Sequence, residues 1–309
     1  MKFSMFRKSA GVFCAAVLGC TVFCPVMSAS ALETKSTKTK LPVNPEEITH
    51  NSRFDSYQKL DCIDVSVYQS KIDWTAVAAE GVDAAIVRAG YRSYDKGEIK
   101  GDKYFISNLQ NAYNAGLQVG VYFYTQAVNT DEAKEEAQYV LDMLSTAKDV
   151  ILSLPVYVDM EHVDNDKGRL DELKLSPAEH TEIVDAFCDV IEAGAYRAGV
   201  YSSRSFMEDH LNMAALEDRS VWMASCGEKT SYKGRYDIWQ YSHRSRINGI
   251  KGTVDRSVLY TLDTAETAQS SVTVRPFEPE IEECEVLPNP DFSVIQFATE
   301  SVDEFVTAD

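Results

Sequence analysis

Eight short apolar runs, separated by amphipathic or polar stretches between Asp61 and Asp263, constrain this chain more than any other feature. They are Cys62–Ser66, Ala84–Ala89, Gln118–Tyr124, Pro155–Asp159, Ala198–Ser202, Val221–Ser225, Asp237–Tyr241 and Gly252–Tyr260. Runs of this length, rich in Val, Ile and Tyr and bounded by turn residues, read as strands. Strands that alternate with helical segments read as βα units around a shared sheet. Eight of them in one domain-sized stretch predict an α/β fold, an irregular (β/α) TIM-like barrel over residues 59–263.

The segments between the runs carry helix start and stop signals. Ser176-Pro-Ala-Glu179 is a capping box with proline at the first helical position. Its helix places Ile183, Phe187, Val190 and Ile191 on one face and stops at Gly194. A second helix starts near Thr130 and lines up Ala133, Ala137, Val140, Leu141 and Leu144. A third runs from about Tyr104 to Gly116, where a left-handed residue suits the C-cap. After Tyr201 only one helical stretch, around Phe206–Ala215, precedes strands joined by short polar loops. The helices are therefore expected to be incomplete in the last third of the barrel.

The flanks differ in character. Lys2, Arg7 and Lys8 precede an apolar stretch, Ala10–Met27, that ends near the small-residue site Ala29-Ser-Ala31. Residues 1–31 read as a secretory signal peptide, with an uncleaved anchor as the alternative. Residues 32–58 are polar and read as a linker, and residues 264–309 as an acidic, loosely structured tail with short β-like runs at Ser271–Arg275 and Phe292–Phe297. The formal charge of -18 becomes -21 without the three basic residues of the signal, and the tail holds eleven acids against Arg275 alone. Such a balance gives no basic patch for nucleic acid or anionic lipid, so a secreted or wall-associated monomer that binds neither nucleic acid nor membrane is expected. Cys14, Cys20 and Cys24 leave with the signal, and the spacing of Cys62, Cys188, Cys226 and Cys284 suits neither a metal set nor one particular disulfide pairing. Cys62 and Cys188 lie in apolar patterns and read as buried thiols.

Asp159-Met-Glu161 closes the run Leu154-Pro-Val-Tyr-Val. Residues two apart on a strand share a face, roughly 6.6 Å apart, so the two carboxylates can raise each other's proton affinity. In a parallel βα barrel the chemistry sits at the C-terminal strand ends, and Asp64, Asp159, Glu161 and Asp255 all fit that position. A single acid there reads as a cap, but four at one mouth cost stability and need a reason. Tyr122, Tyr124, Tyr201, Trp239 and Tyr241 are candidate stacking platforms for a ligand, about half of which are expected in the core. Trp239-Gln240 is the strongest binding candidate, joining a flat apolar face to an amide. Arg88 ends a buried strand and is expected to pair with one of the acids. Trp74 reads as a packing anchor, and His162 faces away from Glu161 if the strand continues.

These residues carry a resemblance. The segment Asp61-Cys-Ile-Asp-Val-Ser-Val-Tyr-Gln-Ser-Lys-Ile-Asp-Trp74 resembles the opening motif of glycoside hydrolase family 25, the 1,4-β-N-acetylmuramidases. Ile86–Tyr91, Ala115–Tyr122, Val158–Glu161, Ala198–Ser202, Val221–Ala224, Trp239–Tyr241 and Gly249–Asp255 match in order, so the likeness covers about residues 60–262. It implies an irregular barrel, peptidoglycan glycan strands as substrate, and no cofactor. By position Glu161 matches the family's proton donor, Asp159 its partner, and Asp64 and Asp255 acids of the same groove. The chain departs from the family at Cys62 and Ser70 (often Gly), at Phe123 (often His) and at Ser225-Cys226 (often Asp-Tyr).

The resulting expectation is that Glu161 protonates the leaving oxygen while an ionised Asp159 stabilises the sugar or orients its N-acetyl group. Two other readings compete. Four acids can hold a hard cation, which predicts a metal-assisted hydrolase inhibited by chelator. The same scaffold can also bind glycan without cutting it, and release of reducing ends separates the two.

Overall fold

The computed structural model describes residues 42, 44–147, 149–163 and 168–262. The signal, most of the expected linker's first half, the acidic tail and Cys284 lie outside the described residues. Within Met1–Thr261, the first of two compact units, eight strands close into a barrel. They are β1 (Gln58–Val65), β2 (Ala84–Arg92), β4 (Gln118–Tyr124), β5 (Val156–Asp159), β6 (Ala198–Ser203), β7 (Ser220–Ala224), β8 (Ile238–Ser245) and β9 (Val254–Thr261). The short β3 (Ile99–Gly101) forms a hairpin on the end of β2 that sequence periodicity does not reveal.

Neighbouring strands from β1 to β8 pair in parallel, but β9 runs antiparallel to both β8 and β1 and so closes the ring. This corrects one expectation. Asp255 lies at the start of its strand, not the end, and reaches the same mouth because β9 is reversed.

Helices cover the outer face unevenly. They are α1 (Trp74–Ala79), α2 (Phe105–Asn114), α3 (Thr130–Thr146), α4 (Arg169–Leu173), α5 (Pro177–Ala193) and α6 (Arg204–His210). Ser176 and Glu179 bond reciprocally at the start of α5, where the Glu179 amide donates to Ser176 Oγ at 3.3 Å and the Ser176 amide to Glu179 Oε2 at 2.7 Å. Asn129 caps α3 through the Glu132 amide at 2.9 Å. Such caps contribute about 1 kcal/mol each. Gly116 follows α2 at φ +89°, a conformation that strains any side chain. Trp74 opens α1 buried, its indole N–H donating to Asn108 Oδ1 at 3.4 Å.

Strand alternation divides the core in two. Outward residues such as Val87, Val121, Phe123, Val158 and Met223 pack under the helices. Inward residues, among them Cys62, Ile86, Tyr157, Tyr201, Trp222 and Leu259, fill the barrel. Trp222 sits among three tyrosines, with ring centroids 4.4 Å from Tyr201, 5.5 Å from Tyr157 and 6.1 Å from Tyr122. Its N–H donates to Ser257 Oγ at 3.2 Å. Cys62 and Cys188 are buried free thiols, and Cys226 is an exposed one, with Sγ 3.3 Å from His243 Nδ1.

No helix joins β7 to β8 or β8 to β9 among the described residues, so the outward faces of Tyr241, Val258 and Tyr260 need another cover. The expected linker supplies it. From Asn44 the chain is not a free tether but a strap with two 3₁₀ turns, Pro45–Glu47 and Ser52–Phe54. Phe54 stacks on Tyr260 at 3.7 Å, Arg53 lies over Tyr236 at 4.2 Å, and the Thr49 amide donates to the Glu228 carbonyl at 2.6 Å. The polar composition of this segment hides two apolar anchors, Ile48 and Phe54. Phe54→Ala should therefore destabilise the protein by about 3–5 kcal/mol, the usual cost of deleting a buried phenylalanine. Urea unfolding reads this directly, and a change below 1 kcal/mol would mean that the strap bears no load.

Candidate active site

Alternation also decides which side chains meet at the mouth. On β1 the inward positions are Cys62 and Asp64, on β5 Tyr157 and Asp159, and on β9 Leu259, Ser257 and Asp255. Asp64 and Asp255 are direct partners in the antiparallel β1–β9 pairing. Asp159 ends β5 beside Tyr124 of β4 and Tyr201 of β6. Glu161 follows two residues later, half-buried. The backbone between them is held by the Met160 amide on the Tyr201 carbonyl at 3.0 Å and by Ser202 Oγ on the Met160 carbonyl at 2.5 Å.

All four acids line one cleft of about 690 Å³. That size lies within the ~300–1,000 Å³ usual for small-molecule sites. Asp64 and Asp159 are 8 % and 5 % exposed. Burial, then the charge of Asp255, pushes the Asp64 carboxyl well above the ordinary range; the Gln240 amide opposes this and Glu161 adds to it. Burial, then Glu161, does the same to Asp159, with Asp64 adding and Arg88 opposing. Asp255 is raised by burial, with His243 pulling the other way. Asp159 was expected to stay ionised; desolvation and the Glu161 charge raise its proton affinity against that expectation, with the Arg88 cation opposing them.

Gln240 links the set. Its amide donates to Asp64 Oδ2 at 2.9 Å and more weakly to Asp255 Oδ2 at 3.5 Å, while its carbonyl accepts the Tyr201 hydroxyl at 2.9 Å. A neutral donor thus lies between two carboxylates where a cation would otherwise be the natural filler. Asp159 Oδ1, by contrast, is buried with no hydrogen-bond partner among the described residues.

The remaining candidates divide by parity. Arg88, Tyr122 and Tyr124 line the cleft. Tyr201 and Gln240 are buried, Gln240 bonded to Asp64 and Asp255 and Tyr201 bonded to Gln240. Trp239 is not in the cleft at all. It is the neighbour of inward Gln240 and so faces outward, fully buried, its N–H on the Ser225 carbonyl at 2.9 Å. Tyr241 is outward for the same reason. One strand cannot present adjacent residues to the same face, and the Trp239-Gln240 pair fails on that rule. Arg88 pairs with Asp102, at 2.9 Å through Nε and through Nη2, and with none of the four acids.

Sequence reasoning missed several cleft residues. His162 lines the cleft because β5 ends at Asp159 and the backbone leaves the pleat; its Nδ1 bonds Asp171. Tyr68, Tyr91 and Tyr94 come from a 3₁₀ turn and from the β2–β3 hairpin, neither visible as periodicity. Trp222 under the floor was legible, since Val221 and Met223 are the better outward residues of its run.

Residues 63–250 match the family model described as Glycosyl hydrolases family 25. The chain belongs to that family. It is 26 % identical over 194 residues to the autolytic lysozyme of Clostridium acetobutylicum, covering 62 % of this chain and 53 % of that one. It is 28 % identical over 202 residues to lysozyme M1 of Streptomyces globisporus, covering 63 % and 66 %. The modular autolysin LytC of Streptococcus pneumoniae, solved with a synthetic peptidoglycan ligand, superposes with a TM-score of 0.57 at 28 % identity, over 66 % of this chain and 47 % of that one. The matched region therefore spans about half to two thirds of each relative. A bacterial lysozyme from Streptomyces coelicolor shares the fold with a TM-score of 0.52 at 23 % identity.

The buried acids of this family 25 domain fix a pH dependence. Folded Asp64 and Asp159 bind a proton more tightly than the unfolded chain, so stability is full below the ordinary aspartate value of 3.8 and falls as pH rises through the elevated native values. Asp159→Asn removes that loss. Its melting temperature should match the parent near pH 3.5 and exceed it by a few degrees at pH 7, as read by calorimetry across the range. An equal or lower melting temperature at pH 7 would contradict the assigned proton affinity.

Proposed function

We propose that this protein is an exported lysozyme that cleaves the β-1,4 bond between N-acetylmuramic acid and N-acetylglucosamine in peptidoglycan, with Glu161 as proton donor and Asp159 as its partner. The observation that carries this reading is the buried Asp159 carboxyl, its Oδ1 without a partner among the described residues, two residues from Glu161 in a cleft that Asp64 and Asp255 also line. An orphaned buried acceptor is costly, and an N-acetyl N–H of the substrate is the donor that would satisfy it.

That hydrogen bond also acts on Asp159. Donation favours its charged form and so offsets the burial and like charge that raise its proton affinity. Glu161 then protonates the leaving glycosidic oxygen as the C–O bond breaks. Asp159, now anionic, holds the acetamide so that its carbonyl oxygen attacks the anomeric carbon. Water, deprotonated by Glu161, opens the resulting ring with net retention. Asp64, Asp255 and Gln240 keep the field negative around the developing positive charge. The resemblance to two lysozymes, and to an autolysin solved with a synthetic peptidoglycan ligand, supports this assignment of substrate. The sequence of residues 1–31 supports export.

General acid catalysis typically contributes about 10²–10⁴-fold. Glu161→Gln should therefore lower kcat on purified peptidoglycan by that order with an unchanged melting curve, and near-parental turnover would remove Glu161 from its role. Mass spectrometry of the wild-type digest should find muramic acid at the new reducing ends.

A further inference from the structure

Five large apolar or aromatic side chains remain exposed among the described residues, and two of them, Tyr68 at 80 % and Tyr94 at 55 %, line the catalytic cleft. Tyr68 does not project from a slack loop. The 3₁₀ turn that carries it, Val67–Gln69, is closed by a reciprocal Ser66–Gln69 cap. It is also tied down by the Val67 amide, which donates to Asp102 Oδ2 at 2.8 Å. The same oxygen receives Arg88 Nε and Nη2, and Asp102 Oδ1 accepts the Tyr104 amide at 3.0 Å. The Asp102 side chain is 1 % exposed. One buried carboxylate therefore locks an exposed aromatic ring and a guanidinium into a fixed relation.

The guanidinium carbon stands 5.3 Å from the Tyr68 ring centre and 5.4 Å from that of Tyr91, within cation–π range of both. Arg88 is the one lysine or arginine lining the cleft among the described residues. It engages Asp102 through Nε and Nη2, and Nη1 has no protein acceptor among the described residues. Its side chain is 11 % exposed, so this donor lies in a largely desolvated place where a hydrogen bond discriminates strongly.

The proposed substrate alternates two sugars that differ by one group, the lactyl ether of muramic acid. That group ends in a carboxylate when free and in an amide carbonyl when it carries a peptide. Both are acceptors. A cleft with four acids repels a carboxylate everywhere except beside its cation. Resting on the lysozyme reading above, we propose that Arg88 and Tyr68, joined through Asp102, form the subsite that selects the lactyl-bearing sugar: Arg88 donates to the lactyl carboxyl or carbonyl oxygen, and Tyr68 stacks on the sugar face. Chains built of N-acetylglucosamine alone fill the cleft without engaging Arg88.

Binding is measured by calorimetry in the Glu161→Gln background, so that the result does not depend on turnover. The probes are a peptide-free muramoyl tetrasaccharide, its peptide-bearing counterpart, and an N-acetylglucosamine tetramer. The unaltered cleft should prefer both lactyl-bearing probes. A hydrogen bond to a charged group is worth about 1.5–3 kcal/mol, or roughly 10–150-fold in affinity, so Arg88→Lys, which retains charge beside Asp102, should shrink the preference at least ten-fold. A loss confined to the peptide-free probe assigns the contact to the free carboxylate, and a loss on both assigns it to the shared carbonyl oxygen. Tyr68→Ala, at an exposed position that leaves folding alone, should weaken all three probes several-fold. The proposal is overturned if the unaltered cleft shows no preference, if Arg88→Lys leaves the ratio intact, or if Tyr68→Ala changes nothing. Failure of the lysozyme reading registers separately, as unimpaired peptidoglycan turnover by Glu161→Gln.

Discussion

The reversed last strand is the constraint on which this molecule depends. A barrel of parallel strands alone would leave Asp255 at the mouth opposite the acid-lined cleft. Because β9 runs antiparallel between β8 and β1, its first residues reach the end where the other strands finish. Asp255 is thereby placed across from Asp64, and Gln240 from the adjacent β8 can bridge the two. The ion pair between Asp61 and Arg256, with Nε to Oδ1 at 2.8 Å, fastens the same two strands on their outer face. Strand direction, an architectural choice, thus sets the charge density of the cleft.

That charge density conflicts with stability. Three aspartates in the cleft have their proton affinities raised by burial, and in Asp64 and Asp159 like charge adds to it. The structure offsets part of this with a neutral donor at Asp64, Gln240, and with the Arg88 cation near Asp159. Gln240 stabilises Asp64 without cancelling its field, whereas an arginine in its place would have made the pair inert. The cation of the cleft, Arg88, is instead bound to Asp102, an acid outside the reacting set.

Much of this was legible before any coordinates. The eight runs from Cys62 to Tyr260 became the eight barrel strands, and the capping box at Ser176 and the stop at Gly116 lie where the helices begin and end. The reason is that strand alternation and helix caps are local properties. What the sequence concealed was non-local. Nothing in Gly252–Tyr260 announces its direction, so Asp255 was assigned to the wrong strand end while still being assigned to the right mouth. Phe54 and Ile48 are two apolar residues in polar surroundings, and only the uncovered face of β8 and β9 explains them. Trp239 and Gln240 could have been separated by parity alone, as could Trp222 from its neighbours. Tyr68 and Tyr94 lie in turns, where composition carries no phase, and Tyr91 follows the register shift near the end of β2.

The pairing of β1 with β9 has a kinetic consequence. Gln58 sits opposite Thr261, so the ring is sealed by segments some two hundred positions apart, and the strap before β1 docks on the same late strands. Entropy makes such distant contacts slow to form. A chain made amino end first would hold Phe54 and β1 without their partners until the final strand arrived. The cleft takes Asp64 and Asp255 from those two strands, so it cannot assemble before β9 pairs, and a molecule cut short of β9 carries no complete set of acids.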